Sequence, residues 1–215
     1  ETTTGHITLL ATRTIDFDAA VDVSTSAAGT INIDAQAGAL TMHGTANVTA
    51  TSSSARLNAA LNVTLGNVTA TNVSVLSGAD IVNAANSTKN VTAANLRLIA
   101  TGSIGVAARH ITTDIDNVSA SAATGSIYLA EDDAATVTAV SVTVNVVSPD
   151  ATVGTITDAA QSDLSTGSNG RIVLVATLGN ITLNDGADTD NITVTANGSG
   201  NILIDALAGS ITANA

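Results

Sequence analysis

Residues 171–184 and 201–214 align without a gap at an offset of 30 residues. Ile172/Ile202, Ala176/Ala206, Gly179/Gly209, Ile181/Ile211, Thr182/Thr212 and Asn184/Asn214 are identical pairs, and Leu174/Ile204 is a conservative one. Both copies follow a glycine, Gly170 and Gly200. Such a repeat constrains the fold strongly. Each copy is one small unit that cannot bury its apolar face alone, so neighbouring copies must stack.

Within each copy the apolar residues alternate. Ile172, Leu174 and Ala176 share one parity, as do Ile202, Ile204 and Ala206. Period two marks a strand with one buried face. Weaker versions of the phrase begin near residues 31, 61, 96 and 142. They predict a coil of about 30 residues carrying about three short strands, with insertions between 96 and 142. Three strands per repeat and no helix-length segment predict an all-β parallel β-helix, or β-solenoid. At about 4.8 Å between layers, 215 residues make about seven coils and a rod roughly 34 Å tall. Equivalent residues then stack. Gly179 and Gly209 are expected where the backbone turns a corner, and Asn184 and Asn214 in a ladder of side-chain amides.

Composition fits a narrow core. Hydrophobic residues are 45% of the chain and aromatics 1%, so Val, Ile, Leu and Ala must fill the interior. There is one Phe (Phe17), one Tyr (Tyr128) and no Trp. Pro149 reads as a loop or the start of a strand, because proline cannot donate to a ladder. Residues 162–170 are polar and Gly/Ser-rich and read as a loop projecting from a coil. The strand phrase resumes directly after each, which predicts one continuous domain over residues 1–215.

Charge excludes some functions. Six basic residues face 18 acidic ones, for a net charge of −12. Nucleic-acid binding needs clustered Lys and Arg to neutralise phosphates, and Arg13, Arg56, Lys89, Arg97, Arg109 and Arg171 are scattered. No apolar run approaches the ~18 residues of a membrane-spanning helix, so membrane insertion is not expected. Cysteine is absent, which removes disulfides and thiolate metal sites. Glu1 opens into Thr-rich sequence without a leader, so the signal of an exported form would lie upstream or have been removed.

The phrases Gly5-His-Ile-Thr-Leu9, Gly125-Ser-Ile-Tyr-Leu129, Gly179-Asn-Ile-Thr-Leu183 and Gly200-Asn-Ile-Leu-Ile204 resemble the degenerate repeats of filamentous-haemagglutinin-type bacterial exoproteins. The resemblance spans most of the chain. It implies a right-handed parallel β-helix, an extracellular or cell-surface location and the role of a structural fibre or adhesin shaft. It also implies a surface glycan or cell-surface receptor as partner. That family's secretion module, with its Asn-Pro-Asn-type signature, is missing here. The chain therefore reads as a shaft segment, or as a subunit built on the same phrases. Residues 1–15 show no capping helix, and the last repeat stops part-way at Ala215. The expected partners at the ends are further repeats of the same polypeptide, or copies joined head to tail.

The alternative is a polysaccharide-active β-helix enzyme, a lyase or hydrolase. Its carboxylate pairs would be Asp16/Asp18, Asp114/Asp116 and Asp188/Asp190, with Arg13 near the first and Arg109 near the second. Aromatic platforms for sugar are lacking, so these acids read as solvated strand ends and the chain as no enzyme. Residues 184–191 hold Asp185, Asp188 and Asp190, oxygen donors suited to calcium. Glu131, Asp132 and Asp133 form a second acidic cluster. Both read first as exposed loops, with calcium the only cofactor considered and little effect of chelation expected. His6, His43 and His110 share no ligand spacing. Ten Asn-x-Ser/Thr triplets open at Asn47, Asn62, Asn67, Asn72, Asn86, Asn90, Asn117, Asn180, Asn191 and Asn197. They are glycosylation acceptors or a by-product of Asn at turns and Thr in strands.

Overall fold

The computed structural model describes residues 5–188 and 190–214. Residues 1–4 and Ala215, at the ends expected to be uncapped, lie outside them. Among the described residues there are strands and no helix.

The chain winds through short strands separated by tight corners. Strands β1 (Ile7–Ala11), β2 (Ile15–Phe17) and β3 (Asp22–Thr25) are followed by β4 (Ile31–Ala35) and β5 (Leu40–Met42). Next come β6 (Asn47–Ala59), β7 (Val63–Leu65), β8 (Asn67–Ser77), β9 (Ile81–Asn83), β10 (Val91–Ala100) and β11 (Ile111–Ala122). Then β12 (Ile127–Glu131), β13 (Ala135–Val137), β14 (Val140–Val147), β15 (Val153–Gln161) and β16 (Leu164–Thr166). The last are β17 (Ile172–Ala176), β18 (Ile181–Asn184), β19 (Val194–Ala196), β20 (Ile202–Ala206) and β21 (Ile211–Asn214).

Apart from β14 and β15, these strands pair in parallel with strands of the preceding and following layers. A 15-stranded sheet runs β1-β4-β6-β8-β10-β11-β12-β17-β20 along its main path, beside a four-stranded sheet β2-β5-β7-β9. The long strand β6 bridges two stacks. Its first residues pair with β3 and its last with β4. Stacked parallel sheets of this kind are compatible with a β-solenoid.

The register builds the core. Ile15, Leu40, Val63, Ile81, Ile104, Ile127, Ile172 and Ile202 form one continuous column of partners. A second runs Ile7, Ile31, Ala55, Val73, Leu96 and Val118. From Ile31 to Val118 the residues of this second column are 0% exposed. Each fully buried Ile or Leu contributes about 1.5–3 kcal/mol, which makes the stacked aliphatics the main stabilising term. Phe17 joins this core, and Tyr128 packs on His110 with ring centroids 5.5 Å apart.

The 30-residue offset is the pairing register of the last layers. Ile172 pairs with Ile202 and Ile181 with Ile211. The Asn214 Nδ2 donates to Asn184 Oδ1 at 2.9 Å across 30 residues, the expected amide ladder. Gly179 turns with φ of 84°. Gly209 also lies at a corner, in the bend between β20 and β21, and a Cβ there would lie 1.8 Å from the Gly179 carbonyl oxygen. Close stacking of one backbone on the next requires glycine at that position.

Elsewhere the period departs from 30. Amide and hydroxyl ladders step by 24 residues from Asp34 to Asn58, 18 from Ser54 to Asn72, 23 from Asn72 to Asn95 and 22 from Asn95 to Asn117. Ser121 to Ser165 spans 44. Ile31 stacks on Ala55, and Leu61, the expected start of a repeat, is 54% exposed. Only inward residues must register, and corners absorb the differences in length.

The large step holds an insertion. β14 and β15 form an antiparallel hairpin, with Pro149 in its turn. Residues 142–146 are therefore not a coil. The hairpin folds back and lies across β1, β4, β6, β8, β10 and β11. Val140, Val142 and Val144 are buried beneath it. The stretch 162–170 does not project as a loop either. Its Leu164–Thr166 is β16, stacked between β11 and β19, with Leu164 0% exposed.

Candidate functional site

The acidic clusters fall into four settings. Asp16 and Asp18 are exposed at the edge of β2, and Asp114 and Asp116 are exposed on β11. Neither described ion pair joins Arg109 to the second pair, and its guanidinium donates to the Asn83 carbonyl at 2.9 Å.

The third setting lies inside the stack. Glu131 ends β12 with its side chain in the core and is 0% exposed. Its register column reads Val48, Val68, Val91, Thr113, Glu131, Ala176 and Ala206. One carboxyl oxygen accepts from the Thr113 hydroxyl. The other accepts from the Ile115 N–H at 3.1 Å and the Asp133 N–H at 3.4 Å. Burial pushes the Glu131 carboxyl up to about 7, against these hydrogen bonds, with the Asp133 charge adding to the rise. Oxygens of Asp114, Glu131 and Asp133 lie within 4.8 Å of one another. Both Glu131 oxygens are already hydrogen-bonded, so this group is satisfied without an ion. Asp132 pairs with Lys89.

The fourth setting is where the loop after β18 meets the start of β16. Oxygens of Asp163, Asp185 and Asp188 lie within 4.8 Å of one another. Asp163 is 6% exposed, whereas Asp188 faces solvent. Asp163 Oδ1 and Asp185 Oδ1 are buried and accept no hydrogen bond. Burial, then the charges of Asp188, Asp190 and Asp185, raise the Asp163 carboxyl to about 6. Neither ion pair of the described residues reaches these acids.

Local backbone contacts hold this arrangement. The Asp163 carbonyl accepts from the Ala120 N–H at 2.9 Å, and the Leu164 N–H donates to the Thr193 carbonyl at 3.0 Å. The Ala187 N–H donates to Ser162 Oγ at 2.9 Å, drawing the loop in. Asp190 accepts from the Ile192 N–H at 2.8 Å, closing a turn.

Asp185 and Asp188, both suggested by sequence, thus come together, and Asp190 stands beside them as a charge. Asp163 was missed because its stretch read as a projecting loop. The signal was the 30-residue offset itself, which continues upstream to lay Leu164-Ser-Thr166 over Val194-Thr-Ala196. Glu131 read as part of an exposed loop, but it is 0% exposed at the inward end of β12. It stands where Ala176 and Ala206 stand in the later copies.

Remaining polar groups build structure. His6 Nδ1 accepts from the Thr30 N–H at 3.0 Å, and Thr30 Oγ1 donates to the Asn145 carbonyl at 3.1 Å, tying the hairpin to the first layers. His43 Nδ1 accepts from the Thr45 N–H at 3.2 Å. Arg56 Nε meets both Asp158 oxygens at 3.1 and 3.0 Å, with both residues below one-tenth exposed. Arg97 Nε donates to the Ala159 carbonyl at 2.9 Å, and burial lowers its guanidinium from the usual value. Of the Asn-x-Ser/Thr positions, Asn47, Asn67, Asn72 and Asn117 use their amides in ladders. Asn90 is 0% exposed, donates to the Leu65 carbonyl and accepts from the Thr112 N–H. Folded, it is closed to modification.

Comparison with protein-family models, with curated proteins and with solved structures finds no match to the chain.

Proposed function

We propose that this chain is a non-catalytic structural shaft, a right-handed parallel β-helix acting outside the cell or on its surface as a fibre or adhesin segment. Its coils are shorter than 30 residues over most of the chain and correspondingly more numerous than seven. The observation that carries this reading is the column from Ile15 to Ile202, which keeps one register through successive layers. A strand edge with free N–H and C=O groups above apolar side chains is a template for another strand. Further repeats of the same polypeptide, or a second copy joined head to tail, would continue the same register. A head-to-tail contact is heterologous and propagates without closing. A surface glycan or cell-surface receptor remains the expected partner of such a shaft.

The enzymatic alternative has less support. The exposed pairs Asp16/Asp18 and Asp114/Asp116 have no basic partner among the described ion pairs, and Phe17 is buried. The test is electron microscopy of purified residues 1–215, with hydrogen exchange read at β1 and β21. Rods or filaments are expected, with exchange at the ends slowing as they form. A monomer that stays soluble at high concentration with both terminal layers protected would overturn the reading. So would turnover of a pectin-type glycan that disappears in Asp114→Asn.

A further inference from the structure

We propose that Asp163, Asp185 and Asp188 form a calcium site that fastens the loop after β18 to the start of β16. The inference stands independently of the shaft reading.

Two observations carry it. The first is geometric. Three carboxylates from two places in the chain, the start of β16 and the loop after β18, converge so that their oxygens lie within 4.8 Å of one another. Calcium–oxygen bonds run about 2.3–2.6 Å, so two ligands of one calcium ion lie no more than about 5 Å apart. The second is the unsatisfied pair of oxygens. Asp163 is 6% exposed, and its Oδ1 and that of Asp185 are buried without a hydrogen-bond donor. A buried polar atom without a partner costs about 1–3 kcal/mol, and more when charged. Neither described ion pair supplies a Lys or Arg to neutralise the group. A cation bound between the acids removes both penalties.

The surroundings favour calcium. All donors are hard oxygens, and no His or Cys belongs to the cluster. Calcium takes six to eight oxygens in a flexible arrangement. Asp188 sits at the solvent side, where water completes the shell. Asp190 adds attraction at longer range. The hydrogen bonds at Ser162, Ala187 and Ile192 hold the loop before any ion arrives, so binding need not order it from an open chain.

The experiment uses the full chain, freed of metal by chelation and dialysed into a buffer without phosphate. Calcium chloride is titrated calorimetrically, and thermal unfolding is followed with calcium, with magnesium and with EDTA. One calcium per chain is expected, with a melting temperature that rises with calcium and falls again with EDTA. Magnesium at the same concentration should give a clearly smaller shift. Asp163→Asn should weaken calcium binding at least tenfold, and should raise the melting temperature of the calcium-free protein by removing an unpaired buried charge. Asp188→Asn, at an exposed position that leaves folding intact, should also weaken binding at least tenfold. Asp16→Asn, far along the chain, should bind as the parent does. The proposal is overturned by the absence of saturable heat up to about 10 mM calcium, tenfold above the weakest calcium modules. It is equally overturned by unchanged binding in Asp188→Asn, or by an equal response to magnesium.

Discussion

Thr113 and Glu131 are register partners inside the stack, and the Thr113 hydroxyl donates to the Glu131 carboxyl. The layers on either side carry Val91 and Ala176 in the same column. An acid therefore occupies a place built for aliphatic side chains.

This placement makes stability depend on pH. The folded-state value of about 7 lies above the ordinary 4.5, so between these limits the folded chain holds the proton more tightly than the unfolded chain. The contribution of Glu131 is fully present below about pH 4.5, is lost as pH rises through 7, and is constant above that. The loss is on the order of 3 kcal/mol. The charges facing the group are Asp133 and Asp114, with the Lys89–Asp132 pair adjacent. Glu131→Gln should flatten this part of the profile and be the more stable form near about pH 8. Urea unfolding of both proteins in chelator at about pH 5 and about pH 8 checks it. Parallel profiles would refute the assignment.

The hairpin is fastened through the Arg56–Asp158 pair. Asp158→Ala leaves a nearly buried guanidinium unpaired, a change that costs about 3–5 kcal/mol. Hydrogen exchange across β14 and β15 should accelerate more than at Leu57 or Leu98 in the core. Replacing both partners, Arg56→Met with Asp158→Leu, should recover most of the loss, because no charge is stranded. A single variant that loses no more than a surface substitution would show that the pair does not hold the hairpin.

At Gly209 an added methyl collides with the Gly179 carbonyl. Gly209→Ala should separate β21 from β18 at a cost of about 2 kcal/mol. The amide to watch is Ile181 N–H, which donates to the Ser210 carbonyl at 2.9 Å. Gly154→Ala is the control, because a Cβ there meets nothing within 4 Å. Equal exchange at Ile181 in the two variants would contradict the close-stacking role.

Legibility of the fold followed the directness of each constraint. Ile172 over Ile202 and Asn184 over Asn214 were readable because stacked parallel strands place like on like, so sequence alignment and strand register coincide. The coil length was misread in the N-terminal half because corners tolerate deletions. A step of 18 residues, from Ser54 to Asn72, preserves the ladder as well as one of 24, from Asp34 to Asn58. Of the candidate site, Asp185 and Asp188 were readable as oxygen donors in a turn, but Asp163 was not.

The sequence by itself determined the class of structure. Alternating Val, Ile, Leu and Ala, nearly free of aromatics, bury one face only when short strands stack. Tertiary structure alone decided where β14 and β15 go and what Asp163 meets. Val142 and Val144 alternate as coil residues do, because a hairpin on an outer face and a strand within the stack both bury one side. Period two records that a face is covered and not by what. Asp163 likewise acquires its neighbours from a loop more than 20 residues away, which the chain brings to it only after the intervening strands have stacked.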